Sequence, residues 1–191
     1  MSMFEKLAKK IFNKKVRTFL RSSQRQTMFV SYSRATSFFL LFESDTAEQN
    51  AGIRQLIEQL RTDGKKVTAW GYLPAKGTGA DPESDIKVLH KNDFDLLQRP
   101  GADVLHQLKK ERFDVLIDIT SHHYIAVDYL ILNAEATLRT GIKKSDQPLY
   151  DFALEIPDLL PDEKGGKEED QTINNYNQLI FYLKNIQSKD Y

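Results

Sequence analysis

The sequence predicts an α/β fold: a Rossmann-like, mostly parallel sheet of five or six strands flanked by helices, with a basic amphipathic helix in front of it. Three observations carry this. A short continuous apolar run at residues 37–42 reads as a strand buried on both faces, and Phe113-Asp114-Val115-Leu116-Ile117-Asp118 is the clearest strand of the chain. Stretches with apolar residues at three- and four-residue spacing lie between the strands and read as helices. Alternation of the two implies right-handed crossovers and parallel neighbours.

Residues 3–21 open the chain as a helix, with Phe4, Leu7, Ala8, Ile11, Phe12, Val16, Phe19 and Leu20 on one stripe and Lys and Arg opposite. A strand follows at 37–42. Asp45 or Thr46 caps the next helix, which turns Ile53, Leu56, Ile57 and Leu60 inward and ends at Asp63-Gly64. Strands are expected at 67–73 and 86–89, separated by a loop of turn formers at 74–82. A helix at 102–112 leads to the strand 113–118. An apolar helix at 124–136, strands at 138–142 and 150–156, a polar linker at 161–170 and a helix at 172–187 complete the chain. The division is into a basic helical arm, 1–26, and an α/β domain, 27–191. Trp70 and Tyr72 have strand spacing and should face the core together.

The chain has no cysteine, which excludes disulfides, thiolate metal sites and a cysteine nucleophile. Lysines interrupt the apolar residues near the N-terminus, unlike a secretory signal, and no window is long and apolar enough to span a bilayer. The expected location is therefore the cytoplasm, free or at the inner membrane surface. No metal or cofactor motif is present. Lys76-Gly77-Thr78-Gly79 lacks the spacing of a phosphate-binding loop and reads as a turn.

Net charge is zero, but its layout is uneven. Residues 1–26 hold eight basic side chains and one acid, while the rest holds 19 bases and 26 acids. The basic residues are Lys6, Lys9, Lys10, Lys14, Lys15, Arg17, Arg21 and Arg25. Such an arm points to an anionic partner, either nucleic acid and the ribosome or a membrane surface. Its apolar stripe offers two further roles, packing on its own domain or joining two copies of the chain.

Two resemblances add to this reading. Lys110-Glu111-Arg112-Phe113-Asp114-Val115-Leu116-Ile117-Asp118-Ile119, then an apolar helix and Leu138-Arg139-Thr140-Gly141-Ile142, resembles the N-terminal Rossmann half of heptosyltransferase-type glycosyltransferases. Those enzymes have a Gly-Asp turn after the first strand, where this chain has Glu43-Ser44-Asp45. The resemblance implies the fold and not the activity. Gly64-Lys65-Lys66-Val67-Thr68-Ala69-Trp70-Gly71-Tyr72, the basic helix, Tyr150-Asp151-Phe152-Ala153-Leu154-Glu155-Ile156 and the closing helix are similar to a family of short Bacteroidota proteins built on a domain of unknown function. That resemblance likewise implies a fold.

In open α/β sheets, ligands bind beyond the carboxyl ends of strands where the chain order reverses. If the first and fourth strands are neighbours, the crevice falls between Glu43-Ser44-Asp45 and Thr120-Ser121-His122-His123, with Asp118 ending the fourth strand. Glu43, Asp45, Asp118, Ser121 and His122 are its acid–base or ligand-binding candidates. The competing reading gives Asp45 and Ser121 to helix caps and Asp118 to loop amides. The expected function is a non-enzymatic interaction module that contacts an anionic partner through the basic helix. The alternative is a small-ligand binder or enzyme that uses the crevice.

Overall fold

The computed structural model describes residues 3–22, 28–44, 47–74, 86–155 and 168–186. Six strands, β1 (Ser37–Glu43), β2 (Lys66–Leu73), β3 (Ile86–His90), β4 (Arg112–Asp118), β5 (Glu135–Ile142) and β6 (Phe152–Leu154), form one sheet in the order β3-β2-β1-β4-β5-β6. All five pairings are parallel. The chain starts in the middle, winds to one edge and crosses back, so the order reverses between β1 and β4.

The helices are α1 (Met3–Ser22), α2 (Ala47–Thr62), α3 (Ala102–Leu108), α4 (Ile125–Asn133) and α5 (Glu168–Asn185). They divide two cores between the faces of the sheet. On one face α1, α3 and α4 pack with Phe39, Trp70, Tyr72 and Leu116. On the other α2 and α5 pack with Phe38, Leu40, Val115 and Ile117. Trp70 and Tyr72 therefore share a core face, as their spacing predicts. Gly64 ends α2 with a left-handed φ of 76°, a conformation that favours glycine.

Several boundaries differ from the sequence reading. α3 stops at Leu108 and α4 at Asn133, both short of their expected ends, and β5 begins earlier, at Glu135. Ala134 to Ala136 are good helix formers, but Glu135 and Ala136 pair with Arg112 and Phe113 of β4, and sheet pairing overrides local preference. Among the described residues β6 spans only Phe152–Leu154 of the expected 150–156, and α5 starts earlier than the periodicity suggests. The loop around Lys76-Gly77-Thr78-Gly79 and most of the 161–170 linker lie outside the described residues.

α4 explains why α1 is docked. Every residue from Ile125 to Leu132 is buried, so this helix has no face suited to water and needs cover on all sides. α1 supplies part of that cover. Ala8, Phe12 and Val16 are each about 1% exposed, and the Phe12 ring meets Tyr129 of α4 edge-on at 4.8 Å. Phe19 extends the contact, lying 5.3 Å from the Arg139 guanidinium. The stripe's central residues are thus spent within the same chain.

Candidate functional site

The reversal between β1 and β4 brings Glu43 to His122, as the topology predicts. Glu43, at the end of β1, lies 3.1 Å from His122 Nδ1 and accepts a hydrogen bond from the Tyr124 hydroxyl. Its side chain is 14% exposed and that of His122 is 59% exposed. Tyr72 and Tyr124 stand 5.0 Å apart, giving the cluster an aromatic flank. A carboxylate that holds an imidazole by one nitrogen leaves the other for a ligand or a proton. Ser121 is exposed beside it, and Asp45 lies outside the described residues.

Asp118 does not join this cluster. Its carboxylate is 1% exposed and fully occupied. One oxygen accepts from the Thr120 amide and hydroxyl at 2.9 and 2.8 Å. The other accepts from Lys144 Nζ and the Tyr150 hydroxyl, both at 2.6 Å. Lys144 completes its own three donors on Thr120, reaching the carbonyl and hydroxyl oxygens at 2.8 and 2.5 Å. Burial, followed by the Asp118 charge, pushes the Tyr150 hydroxyl well above its ordinary pKa, so it remains a donor. A Cβ at Gly141 would lie 2.7 Å from the Tyr150 ring, which is why no side chain is tolerated under it. This set is closed, and it ties the loop after β4 to the loop after β5.

Sequence reasoning missed Lys144, Tyr150 and the pair formed by His123 Nε2 and Asp128 Oδ2, 2.7 Å apart. Burial raises the Asp128 pKa against the opposing pull of His123. One signal for Lys144 was present: Asp118 pairs with Gly141, so a cation just past the end of β5 falls beside the acid that ends β4.

On α1 the described cations Lys6, Lys9, Lys10, Lys14, Lys15 and Arg17 are all exposed. At 3.6 residues per turn, Lys6, Lys10, Lys14 and Arg17 fall within an arc of about 80° directly opposite the buried stripe. They form a row about 16 Å long. Among the described residues, no ion pair engages these four. Lys9 and Lys15 flank the stripe on its two sides. Lys15 Nζ lies 5.0 Å from the centre of the Tyr129 ring. Burial, and then the charges of Arg99 and Lys109, lower its pKa. The side chain of Arg21 and the whole of Arg25 lie outside the described residues.

A cavity of about 270 Å³, partly open, lies beside α1 on the Lys9 side. Lys9, Phe12 and Asn13 form one wall, and His123, Ile125 and Asp128 form the second. The segment after β5 supplies Lys144 through Gln147. No group of three or more His, Asp or Glu side chains suited to a metal occurs among the described residues. Among those residues no helix is long and apolar enough to cross a membrane.

The model of a family of unknown function (DUF6913) matches residues 5–186. No curated protein and no solved structure matches the chain. The short likeness to glycosyltransferases thus finds no support in these comparisons. With nearly its whole length matched, α1 included, the chain belongs to the DUF6913 family.

Proposed function

We propose that this protein is an interaction module that binds the phosphate backbone of a nucleic acid, free or within a ribosome, through α1. The observation that carries the reading is the docking of α1. Its stripe is buried in the domain, so Lys6, Lys10, Lys14 and Arg17 are held in a fixed outward row. A prearranged row neutralises phosphates without the ordering penalty of a flexible tail. The same docking favours nucleic acid over a membrane, because an interfacial helix needs its apolar face free to enter the lipid. This function places the protein in the cytoplasm.

The test is co-sedimentation of the full chain with ribosomes, with total RNA and with vesicles rich in anionic lipid, each at 50 and 200 mM salt. Binding to ribosomes or RNA at low salt, lost at high salt and in a variant carrying Lys6→Gln, Lys10→Gln, Lys14→Gln and Arg17→Gln, is the expected result. Binding to vesicles alone would replace nucleic acid by a membrane surface. Binding unaffected by the four substitutions would remove α1 from the account.

A second reading rests on Glu43, His122 and Tyr124, which meet where the strand order reverses. There a small ligand would meet an imidazole held by a carboxylate. Loss of a ligand-induced thermal shift on His122→Ala, with RNA binding retained, would separate the two sites.

A further inference from the structure

The cavity beside α1 adjoins the cationic row. On the helix surface Lys9 and Asn13 lie next to Lys6, Lys10 and Arg17, at angular offsets of about 20° to 100°. A phosphate chain lying along the row therefore runs beside the helix face that forms one wall of the cavity. The question is which part of such a chain the cavity suits.

Its lining gives a second phosphate no net attraction. Lys9 and Lys144 stand against Asp128 and Asp146, so the wall carries two cations and two carboxylates. Lys144 is already paired with Asp118, and its three donors are taken by Asp118 and Thr120. The lining is not purely apolar either, because Asn13 and Gln147 belong to it. Each amide offers both donors and acceptors. Carboxylates add acceptors, and Phe12 and Ile125 add an apolar wall. Flat, neutral groups with mixed donors and acceptors are what such a lining recognises, and nucleobases are of that kind. The volume is that of about nine waters, enough for one base.

We propose, resting on the nucleic-acid reading above, that the ligand is single-stranded and that one unstacked base enters this cavity while the flanking phosphates lie on Lys6, Lys9, Lys10 and Arg17. Bases in a duplex are stacked and paired, so the cavity selects loops, bulges and ends. Asn13 and Gln147 are the residues that read the base edge, and Asp128 and Asp146 favour bases with exocyclic amino groups.

The test is fluorescence anisotropy on the full chain with three oligoribonucleotides: a single strand, a strand of the same length with abasic positions, and a duplex. The single strand and its abasic counterpart carry equal charge, so any difference reports the base. The expected result is roughly tenfold tighter binding of the intact strand, in the range that burying one base supplies. The double variant Asn13→Ala and Gln147→Ala should abolish that difference and leave the salt dependence unchanged. Equal affinity of the unmodified protein for intact and abasic strands would overturn the cavity's role and leave the phosphate-binding function standing. Failure to bind any of the three would overturn both.

Discussion

α1 and α2 cover opposite faces of the same sheet, and their inner surfaces are alike. α1 buries Ala8, Phe12 and Val16, and α2 buries Ile53, Leu56, Ile57 and Leu60. Their outer surfaces are not. α2 carries two acids and two bases, and Arg61 pairs with Glu58 on the next turn at 2.8 Å. α1 carries seven bases and one acid. Docking therefore accounts for the stripe in both helices and for the charge in neither. The row on α1 also has a penalty that α2 avoids: like charges at i,i+4 destabilise a helix by about 0.2–0.5 kcal/mol per pair. A surface that opposes its own helix needs a reason outside the fold, and an anionic ligand supplies one.

The comparison breaks first at the inner faces. Phe12→Ala should destabilise the protein by about 3–5 kcal/mol and Leu60→Ala by about 2–5 kcal/mol, read by urea denaturation. A negligible effect of Phe12→Ala would mean that α1 is not docked in solution and that its row is not prearranged. The outer faces differ next. The fourfold Gln variant of Lys6, Lys10, Lys14 and Arg17 should weaken RNA binding by about 10²-fold at low salt, measured by anisotropy. It should also raise unfolding stability by about 1 kcal/mol as like-charge repulsion is relieved. The binding result is the discriminating one: a row with no anionic ligand predicts the gain in stability but no change in RNA binding.

A smaller effect concerns acid stability and is independent of both helices. Burial pushes the Asp114 carboxyl up, but hydrogen bonds from Thr36 and Ser37 outweigh it and hold its pKa below the usual range. A depressed carboxyl stabilises the fold above the unfolded pKa of about 4 and loses that contribution as pH falls through its folded value. The stability difference between the unmodified protein and Asp114→Asn should therefore shrink as pH drops from about 5 to 2. A difference that stays constant over that range would remove Asp114 from the acid response. The smallest expected effect is on α2: Arg54→Gln with Arg61→Gln should leave RNA affinity unchanged in the same assay.

The sheet was legible because short strand-like segments, most clearly β1 and β4, alternate with helical stretches along the chain. Placing Glu43 near His122 required one assumption, that the first and fourth strands are neighbours, and the sheet order meets it. Helix ends were not. Nothing in Ala134 to Ala136 breaks a helix, and only pairing with β4 converts it to strand. The grouping of Asp118 with Glu43 failed because sequence places a residue at a strand end without saying which neighbour its side chain meets. Lys144 and Tyr150 capture Asp118 from the segment between β5 and β6. The cavity depends on three segments distant in sequence, and no local pattern announces it. The stripe on α1 was visible, but its burial follows from the all-round apolarity of α4, a tertiary fact.

The most direct test of the account is the slope of log binding constant against log salt for a single-stranded RNA, compared between the unmodified protein and the fourfold Gln variant. Each phosphate contact on a single strand contributes about 0.7 to that slope. The account predicts that the variant's slope is shallower by about 2 to 3. Equal slopes would show that the row on α1 does not touch phosphate, and the central claim would fail.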